Sequence, residues 1–553
     1  MSISRKNPKR ADVKRILSLI IAAIMCLSVM VSCSTRNDGN GGDTTEVKNP
    51  SSSLSMWIEH GFDKIRTEIR APSNPKTEHD VYLAKNDVEG FHIALRSDSA
   101  MSSLTLRVLS GDNDHISFEF FEVKPILTIG RKQYTDPCVP IGQGTRLSLN
   151  KNKTKAIYID FETTADTPAG EYTYEFGVMD KSRNVLSTVK VTVHVWDFEM
   201  PEERKFITAA GLSYKDGKTS VEHYEMLLDY GLSAYHLPYD ILDDEANDYM
   251  SDPRVTSFCV LFLSDDIDDA TLIARYNKLK TNPVWLAKAY FYPMDEPDTV
   301  EELYQLRERC KHLREICPDI KIMVPYFTDI EMPDGTDQIE FMDEYVDLHC
   351  PKLANWNDNY IYGGENYTGN NATNPYYNGT AYDKYGSFAE RMEAIQAKGK
   401  TVVGYICNLP EQPYLNVKVD EDGMNHRIVV WQMYQRGIEG LFYCHTTCWT
   451  DDPWGDVDYF GQGWYGDGIL TYPGDEVGRA GELVPSIRLI ILRDGIQDVE
   501  LLYMAEELLG IEWVEQRADK VSKSLTSVDV TSDELANIRI EIGNAIEQTL
   551  KNK

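Results

Sequence analysis

The stretch Ala289-Tyr-Phe-Tyr-Pro-Met-Asp-Glu-Pro-Asp298 closes an apolar run and leads directly into a helical pattern. We predict a strand near 287–293, because the run is short and apolar, and a helix near 299–316, where apolar residues recur at helical spacing. The same order of strand and helix recurs along the chain from about Lys205. Such alternation is typical of a parallel sheet covered by helices.

Eight apolar runs follow Lys205, and each predicts a strand: 206–212, 234–239, 257–263, 287–293, 321–327, 345–350, 401–407 and 440–445. The predicted helices lie near 221–230, 268–280, 299–316, 387–398, 426–436 and 484–509. Eight strands with intervening helices predict an α/β fold of the (β/α)8 TIM-barrel type. An open doubly wound sheet is the main alternative, although no Gly-x-Gly-x-x-Gly or Walker pattern follows the first strand.

The region from about 54 to 200 shows strand patterns and almost no helical periodicity. Its apolar or alternating runs lie at 81–84, 90–95, 103–108, 156–161, 171–178 and 188–195. Short antiparallel strands at this spacing predict an all-β sandwich. We therefore predict a β-sandwich domain over 54–202 and a barrel domain with C-terminal helices over 203–553.

The first 33 residues have the organisation of an export signal. Six Lys and Arg residues between Arg5 and Arg15 precede an apolar run over 16–31, which ends at Ser32-Cys33. A small residue before such a cysteine is typical of a lipoprotein, so we predict that Cys33 is lipidated. An ordinary signal peptide and an uncleaved anchor are the alternatives. Residues 34–53 predict a flexible linker, and we expect an exported protein held at the outer face of a membrane by lipid only.

The composition argues against two kinds of binding partner. The chain has 56 Lys and Arg against 88 Asp and Glu, a formal net charge of −32, so we expect no nucleic acid partner. Ten Cys are present, but none forms a Cys-x-x-Cys pair or a zinc-like spacing with His, so we predict no metal site. A disulfide between Cys444 and Cys448 stays open.

Two adjacent carboxylates, Asp295 and Glu296, follow the fourth predicted strand. In barrels of this type the carboxyl ends of the strands carry the active site. We assign the neighbouring Asp298 to the cap of the next helix, with Glu301 as its capping-box partner. Capping does not explain Asp295 and Glu296, which leaves a catalytic pair or a solvated acidic turn.

Cleavage of a glycosidic bond needs a carboxylic acid that protonates the leaving oxygen. The common retaining scheme adds a carboxylate nucleophile about 5 Å away across the bond, and adjacent residues rarely straddle a bond in that way. Adjacent carboxylates fit substrate assistance better, because the 2-acetamido oxygen of the sugar then attacks the anomeric carbon. Glu296 would be the general acid and base, Asp295 would hold the acetamido N–H, and no cofactor would be needed.

Taken together, the motifs make the chain resemble glycoside hydrolase family 123 and the related domain-of-unknown-function family 4091, over roughly residues 80 to 510. They are the Asp-Glu-Pro after the fourth strand, Gly440-Leu-Phe-Tyr443, Asp452-Pro-Trp454, Gly466-Asp-Gly-Ile-Leu-Thr-Tyr-Pro-Gly474 and Ile487-Arg-Leu-Ile-Ile-Leu-Arg-Asp-Gly-Ile-Gln-Asp498. The resemblance implies a sandwich followed by a barrel, and exo-acting β-N-acetylgalactosaminidase activity with the adjacent Asp and Glu as catalytic pair. Cys444 departs from the tryptophan expected after Tyr443.

Five further residues are candidates for binding the sugar: Tyr326, Tyr443, Trp449, Trp454 and Asp467. Residues 355–386, rich in Asn, Tyr and Gly, predict a wall of the same cleft. We expect hydrolysis of a terminal β-linked 2-acetamido sugar of an oligosaccharide or glycan, with N-acetylgalactosamine preferred over N-acetylglucosamine. The alternatives are a surface carbohydrate-binding lipoprotein with a vestigial barrel, and a glycosidase of the same fold that acts on a sugar without an acetamido group.

Overall fold

Two five-stranded sheets occupy the N-terminal part of the described chain. In sheet order, the strands of the first are β1 (Leu54–His60), β3 (Val88–Ser97), β8 (Thr154–Glu162), β5 (Ser117–Ile129) and β6 (Lys132–Ile141). Those of the second are β2 (Glu78–Lys85), β10 (Val185–Glu199), β9 (Gly170–Met179), β4 (Met101–Ser110) and β7 (Arg146–Leu149). Neighbours pair antiparallel, except that β10 runs parallel to β2. The computed structural model describes residues 54–111, 113–213, 220–263, 267–326, 330–357 and 386–553.

The first sheet is buried on both faces. Phe91 and Ile93 of β3 pack with Val191 of the second sheet in one apolar core, whereas Ala94 and Tyr158 belong to the core of the C-terminal part. Strands buried on both faces are apolar at successive positions. This explains why β3 and β8 were readily predicted from the sequence.

All six predicted strands of this region are present, within β2, β3, β4, β8, β9 and β10. The strands β1, β5, β6 and β7 were not predicted. In β5 and β6, Pro125 and Pro137 interrupt the strand pattern, and the β5–β6 register shifts at Pro125. Proline cannot donate a hydrogen bond to a neighbouring strand, so it argues against a strand in the sequence while the fold accommodates it at a bulge.

Parallel sheets come next along the chain. One contains β11 (Ile207–Ala210), β18 (Gly440–Tyr443) and β17 (Gly404–Ile406), and the other contains β12 (Phe258–Phe262), β13 (Ala289–Tyr292), β14 (Lys321–Tyr326), β15 (Leu348–Pro351) and β16 (Thr401–Val402). A short antiparallel pair, β19 (Thr471–Pro473) and β20 (Leu483–Pro485), lies further along the chain. The chain therefore has a mixed α/β fold with several sheets.

The described helices are α1 (Val221–Asp229), α2 (Ala246–Ser251), α3 (Asp269–Leu279), α4 (Pro283–Lys288), α5 (Val300–Ile316), α6 (Gln338–Met342), α7 (Phe388–Gln396), α8 (Gly423–Tyr434), α9 (Ile487–Leu509), α10 (Ile511–Val521) and α11 (Ser532–Lys551). The short 3-10 turns are Leu353–Trp356 and Gly474–Val477. Each of the six predicted helices is present within a few residues of its predicted ends. Among the described helices, each is too short or too polar to cross a lipid bilayer.

Backbone contacts join the two parallel sheets at both margins. Tyr405 of β17 forms a parallel bridge with Lys352, which follows β15. At the other margin Ala210 of β11 bridges Ala234, and the N–H of Cys259 donates to the carbonyl of Tyr235 at 2.8 Å. Residues 234–239, predicted as the second strand, contribute only this isolated bridge. Pro238 lacks the N–H that a longer strand needs.

Three of the buried arginines connect the helices to the first sheet through ion pairs shorter than 3 Å. Arg427 of α8 pairs with Glu89 at 2.8 Å, Arg488 of α9 with Asp136 at 2.9 Å, and Arg493 of α9 with Asp160 at 2.7 Å. All three cross from the C-terminal helices to strands of the first sheet, β3, β6 and β8. Arg493 also pairs with its neighbour Asp494 at 2.7 Å, so it links α9 to the N-terminal sheet while it keeps a partner on its own helix.

Several predictions fall on residues that the structure does not describe. They are the signal segment 1–33 with its lipidation site Cys33, the linker 34–53, and most of the predicted cleft wall at 355–386.

Candidate active site

Asp295 and Glu296 lie just beyond the carboxyl end of β13. The hydroxyl of Tyr292 donates to Oδ1 of Asp295 at 2.5 Å, and the hydroxyl of Tyr405 donates to Oε1 of Glu296. Asp295 is exposed and Glu296 is half-buried. Because Tyr292 belongs to β13 and Tyr405 to β17, the two sheets each supply a tyrosine that holds one carboxylate.

The backbone of Glu296 has a φ of +34°, in the left-handed region that residues other than glycine rarely occupy. Pro297 follows and restricts this residue further. A conformation of this kind costs about 1–3 kcal/mol and persists where the surrounding structure enforces it, most often at functional sites. The strained turn and the two tyrosines thus hold the neighbouring carboxylates in separate environments.

Burial raises the pKa of Glu296, and the negative charge of Asp295 adds to the rise. The Lys352 ammonium and the hydrogen bond from Tyr405 oppose that shift without cancelling it, so the pKa of Glu296 stays above its usual value. Lys352 is itself buried, and its ammonium lies 5.8 Å from the centre of the Tyr405 ring. A carboxyl with a raised pKa retains a proton closer to neutral pH, as a general acid requires.

Asp467 is a further carboxyl at this edge, and unlike Asp295 and Glu296 it is fully buried. Its Oδ1 lies 3.5 Å from the hydroxyl of Tyr443, which accepts a hydrogen bond from the N–H of Gly468 at 3.2 Å. Burial raises the pKa of Asp467 to about 6. Burial also raises the pKa of the Cys407 thiol to about 12, and the charges of both Asp467 and Glu296 contribute to that rise. Cys407 therefore lies within electrostatic reach of both carboxyls.

The other predicted sugar-binding residues are aromatic and take part in the packing of the fold. Tyr326 ends β14, is 1% exposed, and stacks on His349 with ring centres 5.9 Å apart. The indole N–H of Trp449 donates to the carbonyl of Thr471 at 2.7 Å, and that of Trp454 donates to the carbonyl of Pro473 at 2.9 Å. Both tryptophans thus use their polar group within the fold, and their contact with substrate stays a prediction.

Three residues of the site were not predicted from the sequence: Tyr292, Lys352 and Tyr405. All three lie at or just beyond the carboxyl ends of parallel strands, which is the edge where the active site was expected. A lysine directly after a buried strand was the one signal available, because charged residues rarely occur there without a partner. The tyrosines looked like ordinary core residues.

The prediction that Asp298 caps the next helix with Glu301 as partner was wrong. The N-cap of α5 is Thr299, whose hydroxyl accepts from the N–H of Glu302 at 3.2 Å. The Glu302 carboxylate in turn accepts from the N–H of Asp298 at 3.0 Å. The helix is therefore capped one residue later than predicted, and Glu302 binds the N–H of the residue that precedes the N-cap.

Across the described ranges, no group of three or more His, Cys, Asp or Glu side chains is arranged to hold a metal ion. Cys444 and Cys448, for which a disulfide was left open, are free thiols.

Comparison with known proteins identifies the catalytic region. Residues 270–505 match the family "Glycoside hydrolase 123, catalytic domain". A solved family 123 glycoside hydrolase from Clostridium perfringens, studied for glycolipid glycan hydrolysis, has a TM-score of 0.59 and 13% identity and covers 90% of this chain and 98% of its own. No curated protein sequence gives a significant match.

Two other solved structures agree too poorly to carry an argument. The N-terminal domain of PorA has a TM-score of 0.16 and 9% identity, covering 26% of this chain and 97% of its own. A putative β-galactosidase from Bacteroides fragilis has a TM-score of 0.24 and 7% identity, covering 69% of this chain and 54% of its own.

At 13% identity the clostridial structure shows a shared fold, over most of both chains. The family match covers a range that includes Asp295, Glu296, Tyr405 and Asp467. The resemblance expected from the motifs is therefore confirmed over residues 270–505, which match the catalytic domain of glycoside hydrolase family 123, and the chain is a glycoside hydrolase that acts on a glycan.

Proposed function

We propose that the chain releases a terminal β-linked 2-acetamido sugar by substrate-assisted catalysis, with N-acetylgalactosamine preferred over N-acetylglucosamine. One observation carries the proposal. The adjacent carboxylates Asp295 and Glu296 accept hydrogen bonds from two different tyrosines, Tyr292 and Tyr405, at the carboxyl ends of different strands. Two neighbouring carboxylates held apart in this way suit two different tasks on one sugar.

In the first step the acetamido oxygen attacks the anomeric carbon, and the bond between the anomeric carbon and the leaving oxygen breaks. Glu296, whose pKa is raised by burial, gives its proton to the leaving oxygen. Asp295 accepts a hydrogen bond from the acetamido N–H and stabilises the positive charge of the oxazolinium-like ring. In the second step Glu296 takes a proton from water, which attacks the anomeric carbon and restores the acetamido group with net retention.

One observation favours the alternative of a glycosidase that needs no acetamido group. Asp467 is a buried carboxyl, and its charge and that of Glu296 both raise the pKa of Cys407, so the two carboxyls lie in the same region of the site. A retaining enzyme with a carboxylate nucleophile would place such a group about 5 Å from the acid. We assign Asp467 instead to binding sugar hydroxyls, because its hydrogen bond with Tyr443 and its raised pKa suit a binding group better than a nucleophile.

The test compares the methyl and 4-nitrophenyl β-glycosides of N-acetylgalactosamine, N-acetylglucosamine and galactose, with the full chain as enzyme. We expect turnover of the acetamido sugars only. Glu296→Gln should lower kcat about 10²- to 10⁴-fold, and the loss should be smaller for the 4-nitrophenyl substrates, whose leaving group needs less protonation. Asp295→Asn should also inactivate, whereas the exposed neighbour variant Asp298→Asn should keep nearly full activity.

Three outcomes would change the assignment. Equal turnover of the galactosides would exclude participation of the acetamido group in catalysis. Asp467 would then be the residue to test as the carboxylate nucleophile. Full activity of Glu296→Gln would show that another residue is the acid. Binding of sugar without turnover of any substrate would favour the carbohydrate-binding protein with a vestigial barrel.

For the architecture, we propose that the two parallel sheets form one (β/α)8 barrel over 203–553, preceded by a β-sandwich over 54–202. Support comes from the bridges at Lys352–Tyr405 and Ala210–Ala234, which link the sheets at both margins. A crystal structure in which either margin is open would contradict the closed barrel.

For the location, we propose that lipid on Cys33 anchors the enzyme to a membrane, which rests on the sequence pattern of the signal segment. Cys33→Ala should shift the protein from the membrane fraction to the soluble fraction and abolish incorporation of labelled fatty acid. Membrane retention of the variant would instead indicate an uncleaved anchor.

A further inference from the structure

The segment after β18 contains a turn built on one carboxylate. Asp458 accepts hydrogen bonds from the N–H groups of Gln462 at 3.1 Å and Gly463 at 2.8 Å, and its carbonyl accepts from Gly461 at 3.0 Å. Gly461 and Gly463 have φ values of +66° and +80°, which a side chain would disfavour. The turn therefore holds its shape through its own hydrogen bonds.

Three aromatic side chains are clustered on this turn, and we call them the aromatic platform: Tyr459, Phe460 and Trp464. Tyr459 is 49% exposed and Phe460 is 44% exposed. The ring centres of Tyr459 and Phe460 are 5.1 Å apart, and those of Phe460 and Trp464 are 5.9 Å apart. The half-buried Trp464 donates its indole N–H to the side chain of Glu411 at 3.2 Å. Large adjacent aromatics left in water on a soluble protein usually mark a binding surface.

The platform is attached to the site on two sides. The N–H of Asp467 donates to the carbonyl of Trp464 at 3.1 Å, in a tight turn that keeps their Cα atoms within about 7 Å of each other. On the other side, Glu411 lies a few residues beyond β17, the strand whose Tyr405 holds Glu296. The platform is therefore linked by hydrogen bonds to Asp467 and to the segment that follows the strand of Tyr405.

The aromatic faces of the platform and the carboxylates beside it favour neutral sugars over acidic ones. An aromatic face carries partial negative charge and attracts the polarised C–H groups of a pyranose ring. The segment beside the platform also contains the exposed carboxylates Asp451, Asp452 and Asp456, in a chain with a net charge of −32. Acidic sugars such as sialylated or sulfated residues would be repelled there.

We propose that the aromatic platform binds a neutral sugar residue on the reducing-end side of the cleaved bond. This inference rests on the proposed function, because an enzyme that removes a terminal sugar has the remainder of the glycan on that side only. It narrows the substrate class to neutral oligosaccharides that end in a 2-acetamido sugar.

The experiment measures kcat/KM for two substrates that differ only in the aglycone. One is the methyl β-N-acetylgalactosaminide, whose aglycone is too small to reach the platform, and the other is a neutral trisaccharide with the same terminal sugar. Phe460→Ala should lower kcat/KM for the trisaccharide about tenfold and leave that for the methyl glycoside unchanged. The matched control Ile511→Ala, which removes an equally exposed apolar side chain from α10, should change neither value.

Equal losses on both substrates, or no loss on either, would overturn the platform assignment. Equal kcat/KM for neutral and sialylated trisaccharides would overturn the charge argument. If Phe460→Ala dissociates an oligomer of this chain and leaves kcat/KM for both substrates unchanged, the platform is a contact between copies. The assignment of the platform to sugar binding would then be wrong.

A binding measurement separates failure of this inference from failure of the proposed function. Wild-type chain that cleaves no acetamido substrate would overturn the proposed function. Calorimetry of the neutral trisaccharide with Glu296→Gln, alone and combined with Phe460→Ala, then tests the platform without turnover. A Kd about tenfold weaker in the double variant supports the platform, and an equal Kd, or no binding by Glu296→Gln, overturns it.

Discussion

Arg488 is the side chain whose loss we expect to destabilise the protein most. It is fully buried in α9 and donates twice to the carboxylate of Asp136, both at 2.9 Å. It also donates to the carbonyls of Val417 at 2.7 Å and Gly466 at 2.9 Å, and to that of Ile469. One guanidinium thus joins the first sheet, the segment after β17 and the segment that leads to Asp467.

The change Arg488→Met keeps most of the volume and removes all five hydrogen bonds. Breaking a buried ion pair by removal of one partner costs about 3–5 kcal/mol, and each buried carbonyl left without a donor adds about 1 kcal/mol or more. Tyr472 still donates to Asp136 at 2.5 Å, which limits the cost of the remaining charge. We therefore expect the free energy of unfolding to fall by about 4 kcal/mol or more.

The assay is urea denaturation followed by circular dichroism, with the midpoint and slope compared between variants. The control is Arg479→Met, since Arg479 is 37% exposed and pairs with Glu482 at 2.7 Å. Exposed pairs contribute about 1 kcal/mol or less. If Arg488→Met lost no more stability than Arg479→Met, the reasoning from burial and hydrogen bonding would be refuted.

Three further predictions concern the site. Lys352→Met should raise the pKa of Glu296 further, because the ammonium lowers it, and should shift the alkaline limb of the kcat/KM profile to higher pH. Tyr292→Phe should lower kcat about tenfold or more by releasing Asp295, since a hydrogen bond to a charged group contributes about 1.5–3 kcal/mol. In Asp467→Asn the free energy of unfolding should rise relative to that of wild type by on the order of 2 kcal/mol between about pH 4 and pH 6. The Asp467 carboxyl loses its proton near pH 4 in the unfolded chain, whereas in the folded protein it retains the proton to about pH 6. Wild type therefore becomes less stable over this range, and the variant, which has no titrating group at this position, does not.

Each of these predictions has an outcome that contradicts it. An unchanged alkaline limb in Lys352→Met would mean that the ammonium does not act on Glu296. Wild-type kcat in Tyr292→Phe would show that Asp295 needs no orienting donor. A stability difference between Asp467→Asn and wild type that stays constant between pH 4 and 7 would show that the folded pKa of Asp467 is not raised.

Local patterns were sufficient to predict most of the elements. The helix expected at 299–316 is α5, Val300–Ile316, because its apolar spacing is contained in one short stretch of sequence. The strand expected at 234–239 failed because one proline outweighs an apolar run. How the two parallel sheets meet depends on contacts such as Lys352–Tyr405, between residues far apart in the chain, which periodicity does not encode.

In the candidate site, too, the features set by local sequence were predicted and those set by contacts between distant residues were not. Asp295 and Glu296 were predicted because a strand end and two unexplained carboxylates are both visible in the sequence. Tyr405, which donates a hydrogen bond to Glu296, was not predicted because it lies 109 residues further along the chain. The φ of +34° at Glu296 gave no signal either, because the sequence offers neither glycine nor asparagine there.

The arginines that cross to the first sheet bear on how this enzyme can be altered. Arg427, Arg488 and Arg493 each have a carboxylate partner on the N-terminal sheet, and removal of that sheet would take a buried charge partner from each of them. The N-terminal part is therefore not an accessory that could be deleted or exchanged for another binding module. A chimera with a foreign sheet would retain its fold only if the donor brought three carboxylates at matching positions.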